Sequence, residues 1–404
     1  MKPIKIFGFN GMNNLNRAGS AFTDANGIAS PFIALNVDVV EGACIKKRGY
    51  TKVCSLSGAH SLFSNNEVML CVAKAKLYKI VNDKAIELCS CYENAPMYYV
   101  DYNNAIYMSN GYWSGVYDNG EIRQWGVNLP PCPQLRITNG DLFPGKYSVC
   151  YTKINEKGII SGNGEIAQIE FTNTAGIELL NYDNSFLCWI TDANGDIFYL
   201  AEVQNNKITD KYYNQILPSL YVIPPKPMKH LTEAFGRIWG SYYKSLYFSE
   251  PLSPEWFKEA NRFDFPEEIN MIAPVKEGIY INSKYSTWVL WGTDPNKMEI
   301  RRIGIGAVEN SLMYAEVEES GREIPTWRHK TMLPVWLSRK GFVAGTQHAR
   351  LVNLTEEIVN ISLGRRAAAL ARKINGYNQL IVTMSSPFWG DGSLNQVFKN
   401  GTLN

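Results

Sequence analysis

Apolar and polar positions alternate in short bursts along most of the 404-residue chain, and Gly, Asn, Asp and Pro separate the bursts. Such alternation between turn-forming residues predicts half-buried β-strands joined by tight turns. One phrase recurs: a short apolar strand, a polar or glycine turn, then a second strand rich in aromatics. It occurs in NNEVMLCVAKAKLYKIV (65–81), YNNAIYMSNGYWSGVYDNG (102–120), FGRIWGSYYKSLYFSEP (235–251), KEGIYINSKYSTWVLWG (276–292) and SRKGFVAGTQHARLVNL (338–354). Glu67 and Ala105 are 38 positions apart and Ile238 and Ile279 are 41 apart, close to the roughly 40–45 residues of a β-propeller blade. Ile279 and Phe342 are 63 apart, enough for one blade carrying an insertion.

Between 120 and 235 the phrase disappears. The stretch between the proline-rich marks NLPPCPQL (128–135) and LPSLYVIPPKPM (217–228) holds strands of five to seven residues separated by Gly and Asn turns. That pattern suits an immunoglobulin- or fibronectin-like β-sandwich. The predicted fold class is therefore all-β: a discontinuous β-propeller-like domain with an inserted sandwich. The expected boundaries are an extended N-terminal arm over 1–35, propeller-like parts over 36–128 and 227–390, the sandwich over 129–226 and a tail over 391–404. A single irregular all-β domain is the alternative. The arm, rich in Asn and Gly, has little periodicity and is expected to order against a neighbour. One helix is predicted near 362–374 in SLGRRAAALARKING, capped by Ser362 and ended before Gly376. Its Arg365, Arg366, Arg372 and Lys373 would form a local basic face, either a solvated surface or a contact for nucleic acid or another subunit.

Composition narrows the function classes. Lys+Arg is 40 against Asp+Glu 38, so no global charge excess draws the chain onto nucleic acid or membrane. A 45% hydrophobic content with 12% aromatics, 32 Gly and 19 Pro fits a folded β-rich protein. The eight cysteines all lie in the first half and are expected to be mostly buried and reduced. No Cys-x-x-Cys occurs, and Cys89-Ser90-Cys91 has the wrong spacing for a zinc knuckle. The N-terminal segment shows no cleavage pattern, and no apolar run reaches 18 residues, so neither a signal peptide nor membrane insertion is expected.

Catalytic signatures are sparse. Gly-x-Ser-x-Gly and the P-loop are absent, and GIGAVEN (304–310) lacks the third glycine of a dinucleotide fingerprint. Asp192, Asn194 and Asp196 open like a calcium loop, but Ile197 and Val203 replace its Gly and Glu, so a hairpin turn is expected. Carboxylates drawn from different blades can serve glycosidases, which makes Glu250, Glu255, Asp264, Glu267 and Glu268 candidates. Trp239, Trp256, Trp288 and Trp291 could stack on sugars or bases, although their spacing fits blade core. No cofactor or metal is expected.

Three stretches resemble tail nozzle proteins of short-tailed bacteriophages, a group that includes tail tubular and packaged-DNA stabilisation proteins. They are GFNGMNN with LNVDVVEGACIKKRGYTKV (35–53), YFSEPLSPEWF with INMIAPVKEGIYINSKYSTWVLWGTDP (247–295), and PVWLSRKGFVAG (334–345). The resemblance implies a non-enzymatic structural virion protein, made in the bacterial host cytoplasm and built into the phage tail. It implies a homo-oligomeric ring, a hexamer, below the portal and its adaptor, in contact with other tail proteins or fibres. The ring would retain packaged double-stranded DNA and conduct it during ejection. The alternatives are a receptor-binding or scaffold propeller and a carbohydrate-active propeller enzyme. This chain is short for the group, which leaves blade number and any channel gate undefined.

Overall fold

A computed structural model describes residues 8–9, 22–23, 28–30, 37–40, 43–46, 51–209, 212–320, 328–355, 364, 366–374 and 377–384. The chain is all-β and divides into two compact units, residues 56–264 and residues 1–55 with 265–404.

In the second of these units, the N-terminal segment contributes β1 (Gly8–Phe9), β2 (Phe22–Thr23) and β3 (Ile28–Ser30), a small sheet with β3 in the middle. The remainder of the predicted arm lies outside the described residues. A hairpin follows, β4 (Val37–Val40) and β5 (Ala43–Lys46).

The 56–264 unit begins with two four-stranded antiparallel meanders. The first is β6 (His60–Ser64), β7 (Met69–Ala73), β8 (Lys76–Val81) and β9 (Lys84–Ser90). The second is β10 (Tyr98–Tyr102), β11 (Ala105–Ser109), β12 (Ser114–Asp118) and β13 (Glu121–Gln124). Tight turns set their register; Asn103 and Asn104, with φ of 51° and 62°, both adopt the left-handed conformation that a two-residue hairpin loop demands and that Asn tolerates. Alternating side chains from the two sheets meet in one core, with Leu70, Val72 and Leu77 against Ile106, Met108 and Tyr117.

The inserted sandwich comes next. One sheet pairs β14 (Leu135–Leu142), β17 (Ala175–Leu179) and β20 (Lys207–Ile208). The other runs β16 (Ala167–Phe171), β15 (Gly145–Lys153), β18 (Phe186–Thr191), β19 (Phe198–Ala201) and β21 (Tyr212–Ile216). Ile177, Leu179 and Ile208 of the first sheet face Val149, Tyr151 and Ile190 of the second, so each strand's apolar alternation is spent on the inter-sheet core. The predicted calcium-like segment is the β18–β19 turn: Asn194 donates its amide to Lys146 and Gly195 donates to Asp192.

The unit closes with a five-stranded sheet of β22 (Val222–Ile223), β26 (Ser253–Asp264), β25 (Ser245–Glu250), β24 (Arg237–Tyr242) and β23 (Lys229–Ala234). Its Met228, Ile238, Tyr247 and Phe257 share a core with Val100, Tyr107, Val116 and Trp125 of the preceding meander.

The other unit carries two further four-stranded meanders. They are β27 (Met271–Val275), β28 (Gly278–Asn282), β29 (Thr287–Trp291) and β30 (Glu299–Gly304), then β31 (Met313–Ser320), β32 (Arg328–Ser338), β33 (Gly341–Gly345) and β34 (Leu351–Asn353). Tyr280 and Val289 pack with Trp336 and Val343 between them. Up-and-down four-stranded sheets packed face to face are the building unit of β-propellers. Four of the five recurrent sequence phrases form an adjacent antiparallel strand pair within such a sheet, and the one at 235–251 forms the β24–β25 pair of the five-stranded sheet.

The predicted helix is a strand. β35 (Ala367–Ile374) pairs along its length with β36 (Tyr377–Met384). From Ala367 to Ala371 accessibility alternates residue by residue, and Ala369 and Ala371 pack with Leu380 and Val382 against the last meander's core. Alanine-rich sequence favours a helix in isolation, but a partner strand and an apolar surface for one face outweigh that preference of at most about 1 kcal/mol per residue.

Candidate functional site

Glu255 is the one acidic side chain among the described residues that is buried, at 6% exposure. Strand alternation puts it there, because Glu255 and Phe257 point to the same face of β26. Its Oε1 lies 2.7 Å from Arg123 Nη2 and accepts from Tyr107 Oη at 3.4 Å, while Oε2 accepts from the Gly126 amide at 2.5 Å. Burial pushes the Tyr107 phenol well above its ordinary range, and the Glu255 charge adds to that. For Arg123, burial opposes the charge, but the hydrogen bond and attraction to Glu255 prevail and raise its pKa.

The cluster sits at the root of the sandwich and ties both of its linkers to the blades. On the entry side, Trp125 Nε1 donates to Pro254 O at 2.8 Å, and Gly126, at φ +81°, packs where a Cβ would lie 2.6 Å from Pro225 Cδ of the exit linker. On the exit side, Gly162 lies so close to Val222 that no Cβ fits, Ser219 Oγ donates to Ser161 O at 2.6 Å, and the Tyr221 amide donates to Asn163 Oδ1 at 2.6 Å. Trp256 Nε1 reaches across to Ile160 O at 2.9 Å. Asp118 lies 3.6 Å from both Arg123 Nε and Lys157 Nζ, which carries the charge network into the sandwich.

Chemically, this junction is occupied by its own bonds. General acid–base or nucleophilic work on a sugar needs two carboxyl groups facing a substrate, whereas Glu255 is engaged by an arginine, a phenol and a backbone amide. Three of the other four predicted carboxylates, Glu250, Asp264 and Glu267, are likewise engaged. Glu250 accepts from Asn261 at 2.8 Å and lies 3.3 Å from Lys258. Asp264 pairs with Ser245 and, at 3.3 Å, with Arg262. Glu267 accepts from the hydroxyls of Ser283 and Ser286, and Glu268 is exposed. Among the described residues no group of three or more His, Cys, Asp or Glu is arranged to hold a metal ion.

Of the tryptophans, Trp239 is fully buried with its Nε1 donating to Ala234 O, and Trp288 is buried against Phe265. Trp256 serves the sandwich root, and Trp291 is partly exposed at the end of β29. The predicted basic face is not a helix face. Arg366 pairs with Glu309 at 3.0 Å, Arg372 and Lys373 lie on β35, and Arg365 falls outside the described residues.

Residue order hid a second cluster. The β28–β29 turn and the β32–β33 turn bring exposed Lys284, Tyr285 and Arg339 together, with Lys284 Nζ 5.0 Å and Arg339 Cζ 5.2 Å from the Tyr285 ring centre. The hydrogen bond and charge of Lys284 hold the Tyr285 phenol below its ordinary range. Ala307, in the connection after β30, donates to Ser283 O at the β28–β29 turn and bridges to Ser338 at the end of β32, close to this cluster.

No family model and no curated protein matches the chain. Solved structures similar to it include a computationally designed protein, Ika8, at 11% identity over 81% of this chain and 98% of that one, with a TM-score of 0.27. BBS1N, solved in complex with ARL6DN, is 11% identical over 82% and 93% of the two chains with a TM-score of 0.30. Sqt1 of Saccharomyces cerevisiae is 8% identical over 72% and 82%, with a TM-score of 0.22. Likenesses this distant assign no family and no activity.

Proposed function

We propose that this chain is a non-enzymatic structural subunit of the tail nozzle of a short-tailed phage, assembling as a ring that retains packaged DNA and conducts it on ejection. One observation carries the reading. Of the stretches that bear the resemblance to that group, the 247–264 part of the second falls in one compact unit, whereas 35–53, 265–295 and 334–345 fall together in the other. The latter two also share one core, Val275, Tyr280 and Val289 packing with Trp336 and Val343. Most of the resemblance thus follows one folded body with its own interior. Two features agree with a structural role: the buried carboxylate serves as a fastening at the sandwich root, and the near balance of 40 basic and 38 acidic residues suits a surface past which DNA must slide.

The test is mass photometry with single-particle electron microscopy of the purified full chain, alone and with the head-to-tail adaptor. A hollow six-fold ring, formed alone or on the adaptor, is the expected outcome. Compact monomers under both conditions overturn the proposal.

A further inference from the structure

Two hairpin turns in the unit of residues 1–55 and 265–404 are held from within and turn their charged residues outward. At the β28–β29 turn Asn282, Ser283, Ser286 and Thr287 are all buried, although every one of them is polar. The Ser283 amide donates to Ser286 O at 2.9 Å, and the Ser286 and Tyr285 amides donate to Ser283 Oγ at 3.0 and 3.2 Å. Glu267 accepts from both serine hydroxyls. Lys284 and Tyr285 are what the closed turn leaves at its tip, the tyrosine 51% exposed. The β32–β33 turn is built the same way: buried Ser338 donates its hydroxyl to Gly341 O and accepts from the Lys340 amide, both at 3.1 Å, and Arg339 is left exposed. Side chains mounted on backbone already fixed in this way lose less freedom on binding.

The two tips meet at one ring. Lys284 Nζ lies 5.0 Å and Arg339 Cζ 5.2 Å from the Tyr285 ring centre, within the roughly 6 Å over which a ring attracts a cation. Two cations gathered at one ring repel each other, and at an exposed site the ring offsets only part of that repulsion. Arg136, Lys226, Arg262 and Arg366 each have a carboxylate beside them. Among the described residues neither Lys284 nor Arg339 takes part in an ion pair. Glu267, whose charge reaches the Tyr285 phenol, is engaged by Ser283 and Ser286.

We propose that Lys284, Tyr285 and Arg339 form a docking site for an acidic segment of a protein partner, with one Asp or Glu carboxylate held by the two cations and the adjoining chain packed on the exposed ring. Arginine binds a carboxylate through two parallel hydrogen bonds, and tyrosine and arginine are among the side chains that carry most of the energy at protein interfaces. Nucleic acid fits less well. A phosphate backbone is tracked by a row of uncompensated cations, whereas Arg301 and Arg366 of the same unit are each paired, with Glu299 and Glu309. The two tips gather cations enough for one anion, not for a chain of them. Such docking requires no ring and is open to test on the single chain.

The probe is a fluorescein-labelled hexaglutamate peptide, titrated by anisotropy against the full chain at low salt. Lys284→Ala combined with Arg339→Ala should weaken binding about tenfold or more, and Tyr285→Ala about threefold. Removing the same charge at exposed sites elsewhere, Lys84→Ala with Lys244→Ala, should change it less than about twofold. A short DNA duplex titrated in parallel should not distinguish the two charge variants. Carbodiimide coupling of the peptide to the wild-type chain decides even where a variant does not fold: attachment at Lys284 blocks trypsin there and yields a labelled 277–297 fragment. No measurable peptide binding by the wild-type chain, equal loss in both charge variants, coupling at other lysines with none at Lys284, or a duplex that distinguishes the variants as strongly as the peptide does overturns the proposal.

Discussion

Replacing Glu255 by Ala removes the only buried carboxylate among the described residues and leaves Arg123 facing a low-dielectric pocket. Removing one partner of a buried, hydrogen-bonded ion pair costs about 3–5 kcal/mol, much of it the penalty for the charge left behind. Arg123 retains 20% side-chain exposure and Asp118 at 3.6 Å, which places the expected loss near the lower end, about 3 kcal/mol. Glu255→Gln keeps an acceptor for the Gly126 amide and should cost less, about 1–2 kcal/mol, the difference between a charge-assisted and a neutral hydrogen bond. A double-mutant cycle with Arg123→Ala should return a coupling energy of about 1–3 kcal/mol. Urea unfolding of the full chain gives the energies, and hydrogen exchange at the Gly126 amide gives the local readout, with opening accelerated in Glu255→Ala. A loss under about 1 kcal/mol with unchanged Gly126 exchange, or additivity within about 0.5 kcal/mol, would refute the fastening argument.

Gly162→Ala drives a Cβ into the Val222 carbonyl, so it should cost at least the roughly 1–3 kcal/mol of an overpacked site and expose the Tyr221 amide, which donates to Asn163 Oδ1, to exchange. For the strand at 367–374, Ala369→Glu should destabilise by about 1–3 kcal/mol while Leu370→Glu, 56% exposed on the opposite face, should stay within about 0.5 kcal/mol. Equal effects in a thermal-shift assay would contradict the alternation. Lys226, with help from Tyr247, holds Glu259 below the ordinary carboxylate value of 4.5. A depressed folded-state pKa contributes stability that is present above 4.5 and lost as pH falls through the folded value. Glu259→Gln should therefore flatten the acid limb of melting temperature against pH, and an unchanged limb would count against that linkage.

The recurrent hairpins were legible because each needs only local information: period-two apolar positions fix the inward face, and Asn or Gly at the turn fixes the register. The sandwich was legible for the same reason, with prolines marking its ends. Where the outcome depends on a distant partner, the reading failed. The alanine run at 367–371 carries helix propensity in every residue, and only the strand at Tyr377–Met384 and the core beneath it decide otherwise. Glu255 was visible as one acid among five in a loop-rich stretch, but its burial depends on Arg123, 132 positions earlier, and no local pattern marks that pairing. The Lys284, Tyr285 and Arg339 cluster was missed because 54 positions separate Tyr285 from Arg339, and the Ala307 connection that links their turns leaves no mark on local pattern. A lysine beside a tyrosine in a short hairpin turn was the only signal available.

The distribution of charge bears on how a conduit could work. A protein making 6–10 phosphate contacts loses roughly 10³–10⁵ in affinity between 50 and 200 mM salt, and contacts of that strength would retard DNA that has to move. In this chain Arg136, Lys226, Arg262 and Arg366 each lie within 3.0 Å of a carboxylate of the same chain. On the proposed function, a passing phosphate would have to displace that carboxylate or share the cation with it, which reduces the favourable term at each such contact. Arg366 illustrates the point: sequence alone offers it as a nucleic-acid contact, and Glu309 occupies it. Under the proposed function, such neutralisation by near neighbours would let the assembled protein accommodate a polyanion without gripping it, and steep salt dependence of its DNA binding would contradict that account.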